Sequence, residues 1–327
     1  MNTNRRTFTA TLLASAAVLG AGPAAAQAFP DKPLKIVVGA PPGGTSDLLA
    51  RLLAEGLAAQ FGQPVMVDNR AGAVGLLGVQ ELLRSPRDGH TLMVAVNGLV
   101  SEVPHAMKLP LDPMKELYPL VELGRTGLLF VGGPAVPAST LKEVVAHIKA
   151  NPGRISYASY SPGTLSHTLG LEFNRLMGTD MTHVGYKGSP PALADVMAGH
   201  VAYMFDGPAT SIPLIASGKL KAFAVTAPQR ISALPEVPTF AELGYGQLTE
   251  IAWMGLWGTP DVPAPVQARL RDATMKVMAQ PAVQQKLRDL GMDVAVSPTP
   301  DDLRRSLHVA SKRQADTLAA NGFNKLE

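Results

Sequence analysis

The chain has 327 residues, 46% hydrophobic and 17% charged, a composition that excludes a disordered polypeptide and leaves room for two ordinary domains. Its formal charge of +3 includes Arg5 and Arg6, the only charges in the first 28 residues; without that segment it is +1, which argues against a nucleic-acid partner. With no cysteine, the chain has no disulfide framework, thiolate metal site or cysteine nucleophile.

Residues 1–28 read as an export signal. Arg5-Arg6-Thr7-Phe8 has the form of a twin-arginine motif, although Thr9 stands where that consensus prefers a bulky apolar residue. Leu12 to Gly20 is apolar but shorter than the roughly 20 residues a membrane span needs. Small residues offer cleavage after Ala26 or Ala28. Later segments do not read as transmembrane, so the expected product is soluble and exported.

Leu34 to Val38 has strand length and leads into Gly39-Ala40-Pro41-Pro42-Gly43-Gly44-Thr45-Ser46-Asp47. Leu48, Leu49, Leu52, Leu53 and Leu57 follow at helical spacing, and Gly62 ends the stripe. A helix start carries unpaired N–H groups and a partial positive charge, so a small anion suits this turn; Ser46 or Asp47 capping its own helix is the plainer reading. Val65–Val67 and Thr91–Val96 read as further strands around a helix over about 76–83. This βαβαβ order predicts a mostly parallel sheet covered by helices.

The pattern restarts near Val121. Leu128–Val131 reads as a strand, Ser139 to Glu143 opens a helix with a capping-box signal, and Ile155–Ser159 reads as a strand. Tyr160-Ser161-Pro162-Gly163-Thr164-Leu165-Ser166-His167 then repeats the turn-to-helix pattern, ending at Gly178. Met181–Val184, a helix over 191–197, Val201–Phe205 and Leu220–Val225 complete a second unit. The proline-rich stretch 227–238 reads as a linker back to the first unit, and 262–290 and 299–320 read as helices. Two α/β lobes, each with an anion-ready helix start, would clamp one small anion at the carboxyl ends of their strands.

These residues carry a resemblance. Pro42 to Arg51, Val67 to Gly72, Gly163 to His167, His183 to Gly188, Gly218 to Ala222 and Leu234 to Thr239 stand in the order found in the solute-binding receptors of tripartite tricarboxylate transporters, the Bug family. The chain resembles that family from about Phe29 to Gly322. The resemblance implies an α/β, two-lobed fold of the type II periplasmic-binding-protein kind, with two hinge crossings. Its expected divisions are the signal peptide 1–28, lobe I at 29–123 plus 228–327, and lobe II at 124–227. It also implies a periplasmic monomer that holds a small organic carboxylate for cognate membrane subunits, without a cofactor.

Position by position, the family's ligand loops fall on Ala40, Pro41, Gly43, Gly44, Thr45 and Ser46, and on Ser159, Tyr160, Ser161, Gly163, Thr164 and Ser166. Asp206, after an apolar strand, is a further candidate for a ligand hydroxyl or amine, or else a hinge hydrogen bond. His167 is expected to brace its helix. The chain departs from the family at Gly39-Ala40, where Pro-Phe is common, and at Ser161 and Gly185; an aromatic is missing around Lys312 to Gln314.

Enzyme motifs are lacking. There is no Gly-x-Ser-x-Gly elbow, Gly218-Lys219 continues with Leu220 and so is no phosphate loop, and the seven histidines lack metal-ligand spacing. The alternatives to a transport receptor are a ligand sensor for a membrane kinase and, more remotely, a periplasmic hydrolase or isomerase.

Overall fold

The strands, in chain order, are β1 (Leu34–Val38), β2 (Val65–Asn69), β3 (Thr91–Val96), β4 (Tyr118–Thr126), β5 (Leu129–Gly132), β6 (Ser156–Ser159), β7 (Thr182–Gly185), β8 (Tyr203–Asp206), β9 (Lys221–Val225) and β10 (Ala252–Gly258). The computed structural model, which describes residues 29–293 and 298–326, arranges them in two five-stranded sheets. The expected export signal lies outside the described residues.

The first sheet has the order β2-β1-β3-β10-β4, and the second has β7-β6-β8-β5-β9. In each, the first three strands are parallel and the fourth runs against both neighbours. The reversed strand is the one that follows a crossing: β5 opens the second unit and β10 returns to the first. Ile36, Val37 and Val38 are fully buried, as expected for a central strand covered on both faces.

The principal helices are α1 (Thr45–Phe61), α2 (Leu76–Arg84), α3 (Leu141–Ala150), α4 (Leu165–Met177), α5 (Ser189–Ala198), α6 (Pro208–Ala216), α7 (Ala264–Met278), α8 (Pro281–Asp289) and α9 (Pro300–Ala320). The leucine stripe of α1 buries Leu49, Leu53 and Leu57 against the first sheet. Gly62 and Gly178 end α1 and α4 in the left-handed region, at φ 64° and 60°. The capping box of α3 is present, centred on Thr140 and Glu143. Trp253 and Trp257 stack 5.1 Å apart in the core of β10.

The stretch 227–238 differs from its reading as a linker. Ile231, Leu234 and Val237 pack with Leu129, Val131 and Val225 on the second sheet, and Phe240 and Leu248 join Phe130 and Phe173. These apolar side chains follow neither a helical nor a strand period, so only their packing reveals them. The return to the first sheet comes after Leu248, and α9 lies across both units. Its Leu303 and Leu307 are buried with Trp253, while Gln314 Nε2 donates to the Gly163 carbonyl at 2.9 Å.

The crossings lie side by side. Leu128 N–H donates to Thr226 Oγ1 at 2.8 Å, Thr226 N–H donates to the Leu128 carbonyl, and Thr226 Oγ1 donates to the Glu250 carbonyl at 2.8 Å. A Cβ at Gly127 would stand 2.2 Å from the Ala227 nitrogen, too close for rigid backbone to accept. Gly127→Ala should therefore destabilise the protein by about 1–3 kcal/mol, read from the urea midpoint. An unchanged midpoint would show that the crossings do not pack this tightly.

Candidate functional site

Three loops from each unit meet between the sheets, all following the parallel strands. From the first come the turns after β1, β2 and β3; from the second come those after β6, β7 and β8. They border a half-open cavity of about 590 Å³. Placement at strand carboxyl ends is the rule for ligands in open α/β sheets.

Of the candidate residues, Ala40, Pro41, Gly44, Thr45, Ser46, Tyr160, Ser161 and Thr164 line this cavity. Gly43, Ser159, Gly163, Ser166 and Asp206 stand behind the wall and hold it. Ser166 Oγ donates to the Phe205 carbonyl, and Ser159 Oγ meets His183 Nε2 at 2.6 Å. Asp206 is fully buried; it accepts from Tyr160 Oη at 2.9 Å and from Thr210 and Ser211 at 2.6 Å. Tyr160 Oη in turn accepts the Gly207 N–H at 2.7 Å. Asp206 thus positions the Tyr160 ring. Burial raises both the Asp206 and Tyr160 pKa values above their ordinary ones.

The first-lobe turn is held by Asp47. Neither Ser46 nor Asp47 is the N-cap of α1; Gly44 takes that place, with no side-chain cap. The Asp47 carboxylate accepts from the Gly43 N–H at 2.9 Å, Asn69 Nδ2 at 3.0 Å and Arg51 Nε at 3.0 Å. Asn69 also donates to the Ala40 carbonyl, which ties the turn to the end of β2. Asp47 N–H and Leu48 N–H bond to the Gly44 carbonyl, and the first-turn N–H groups of Thr45 and Ser46 have no acceptor within the helix. Ser46 Oγ has a weak contact with Met254 Sδ at 3.6 Å.

On the second lobe, Thr164 is the N-cap of α4, but its Oγ1 donates to the Ser161 carbonyl at 2.8 Å. Its single hydroxyl proton is thereby used inside the loop. The Leu165 N–H donates to Glu102 Oε2 at 2.8 Å, a contact from the segment after β3.

Sequence reasoning missed several walls. Gly72 to Gly75 all have positive φ, including Ala73 at 46° and Val74 at 56°. A β-branched residue there costs about 1–2 kcal/mol, and this strained turn faces the cavity. The glycine spacing was its visible signal; Ala73 and Val74 gave none. Met254 and Glu102 come from distant parts of the chain, so nothing near the motifs pointed to them. Among the lining residues the ionisable side chains are Glu102, Tyr160, Tyr186 and Lys187, and Tyr186 is tied by its hydroxyl to Asp195 at 2.6 Å.

His167 does brace the loop: its Nδ1 accepts the Gly163 N–H at 3.0 Å, and its ring lies 4.1 Å from that of His183. Burial pushes His167 down to about 3 and His183 to about 4, so both are neutral in the folded state. The unfolded chain takes up protons on both rings below about pH 6.5. Their contribution is therefore complete above that pH and is lost as pH falls toward 4, by up to about 1.4 kcal/mol per pH unit for each ring. His183→Gln should flatten the fall in melting temperature between pH 6.5 and 4 relative to the unsubstituted protein. Parallel curves would refute this role.

The model of the tripartite tricarboxylate transporter family receptor, TctC, matches residues 49–322. BugT of Bordetella pertussis is 31% identical over 308 residues, covering 92% of this chain and 93% of its own. The solved structure of MatC from Rhodopseudomonas palustris with bound malate is 30% identical at a TM-score of 0.82, over 89% of this chain and 100% of its own. That of Rpa4515 from R. palustris with adipate is 25% identical at a TM-score of 0.87, over 91% and 100%. Both the motif order and the paired sheets are thereby accounted for, and the chain belongs to the TctC family of tripartite tricarboxylate transporter receptors.

Proposed function

We propose that the protein captures a small organic carboxylate between its lobes in the periplasm and hands it to the membrane subunits of a tripartite tricarboxylate-type transporter. The observation that carries this reading is the cavity itself. Six strand-end loops and the open N-terminus of α1 converge on about 590 Å³, the right order for a small ligand. Malate and adipate in the two solved relatives support a carboxylate as the ligand class. The family is one of receptors rather than enzymes. The export-signal features of residues 1–28 support the compartment.

The lobes close by bending at two adjacent segments, around Gly127 and Glu250, which Thr226 ties together. The stretch 228–248, assigned to lobe I by the sequence reading, moves with the second sheet, on which it packs. Ligand contacts made from both sides favour the closed form, and this differential affinity is what shifts the population. The carboxylate sits at the Thr45 and Ser46 N–H groups, where the helix charge is complementary to it.

A thermal-shift screen of refolded mature protein against mono-, di- and tricarboxylates tests the reading. A ligand at about 100-fold its Kd stabilises by roughly 2.7 kcal/mol, so a selective rise of several degrees is expected with carboxylates. No rise with any carboxylate after refolding would refute it. Ser46→Ala should weaken binding by roughly 1 kcal/mol, about fivefold, because its hydroxyl is not committed within the loop. Isothermal titration calorimetry reads this directly, and an unchanged Kd would displace the ligand from the start of α1.

A further inference from the structure

Glu102 stands between two cavities. It follows the short helix Gly98–Ser101, is 8% exposed, and lines both the cavity between the lobes and a second one of about 590 Å³ behind it. Its Oε2 accepts the N–H of Leu165, the first residue of α4, at 2.8 Å. Its Oε1 has no hydrogen-bond partner among the described residues. The place is built for this side chain: a Cβ at Gly98 would stand 2.4 Å from Oε2 and 2.9 Å from Oε1, so the carboxyl can fold back only over a glycine.

Nothing around Glu102 balances a negative charge on it. On the side between the lobes the other ionisable lining residues are Tyr160, Tyr186 and Lys187, with the two tyrosines bound to Asp206 and Asp195. On the far side they are Glu172, Glu250 and Arg313. Arg313 pairs with Glu250 at 2.5 Å, and Glu172 is held by Arg175. His105, three residues on, meets Ser311 instead. Glu102 thus forms no ion pair among the described residues. Burial, against the Leu165 hydrogen bond and with the Glu250 charge adding to it, pushes its carboxyl up to about 8. At pH 7 the group is an acid and not an anion, and because Oε2 accepts from Leu165, the proton belongs on Oε1.

We infer that Glu102 is a ligand-binding residue that works as a neutral acid: it accepts the Leu165 N–H through Oε2 and donates its proton from Oε1 to the carboxylate held between the lobes. The inference rests on the receptor reading above. One carboxylate is then gripped from both sides, by the Thr45 and Ser46 N–H groups at the start of α1 and by the acid proton of Glu102 at the start of α4. An acid-to-carboxylate hydrogen bond is charge-assisted and strong. It also answers the difficulty of a carboxyl at the wall of an anion site, because the neutral form attracts what the ionised form would repel. The proton that permits binding is thus part of the site, and losing it removes a donor and adds a charge of the wrong sign.

Calorimetry on refolded mature protein between pH 7 and pH 9.5 tests it, with hexanoate, adipate, malate and any other carboxylate that raises the melting temperature as probes. These probes are fully ionised throughout that range, so the pH dependence belongs to the protein. The Kd of the unsubstituted protein should weaken by about tenfold or more over the range, and binding at pH 9 should take up a proton, read from the heats in two buffers of different ionisation enthalpy. Glu102→Gln keeps an oxygen on Leu165 and turns an N–H donor toward the ligand. It should bind at pH 7 within about threefold of the unsubstituted protein, with a flat profile and no proton uptake. Glu102→Leu, without a donor, should lose about fivefold or more at pH 7. A flat profile in the unsubstituted protein, or the same weakening in Glu102→Gln, would overturn the role of Glu102 and leave the receptor reading standing. So would a folded Glu102→Leu protein with an unchanged Kd. No heat from any carboxylate at pH 7 would bring down both. The profiles of the unsubstituted protein and Glu102→Gln decide the matter even if Glu102→Leu does not fold.

Discussion

Backbone N–H groups at the start of a helix have no acceptor of their own, and the molecule is arranged around two such starts. A parallel strand delivers the chain to the edge of its sheet, and a glycine-containing turn reverses it into a helix. The first N–H groups are then left facing the other lobe. Because the same sequence of events occurs in both sheets, the two starts come together across one cavity. Everything else holds these turns in place or lets them approach.

The holding is done from behind. Asp47 ties the Gly43 turn to Asn69 and Arg51, His167 accepts the Gly163 N–H, and Asp206 anchors the Tyr160 ring. None of these three side chains lines the cavity. Each carries a polar group that is buried and hydrogen-bonded, so the loop it supports keeps its shape without a ligand. A carboxylate placed at the wall itself would repel an anion; set behind the wall, it serves the opposite purpose. Glu102 is the exception, a carboxyl at the wall, and its position on Leu165 accounts for why it is tolerated there.

The crossings and the last long helix divide the work of joining the lobes. The two crossing segments, near Gly127 and Glu250, are joined through hydrogen bonds to Thr226, which keep the crossing narrow. The helix Pro300–Ala320 reaches from the tryptophan-lined core of the first unit to the Gly163 turn of the second. It is thus a second link between the units, beside the crossings.

The sequence by itself determined the two α/β units, the principal strand and helix positions, the two glycine helix ends and two of the loops that border the cavity. Each of these is local: hydrophobic period, turn residues and caps act within a few positions of one another. Tertiary structure alone decided which loop hydroxyls are already engaged, because Ser166, Ser159 and Thr164 look alike in sequence but make their hydrogen bonds with Phe205, His183 and Ser161. It also placed Ile231, Leu234 and Val237 on the second sheet and brought Glu102 to Leu165, 63 positions away in the chain. Such pairings leave no periodic trace, since they depend on how two separately formed sheets meet.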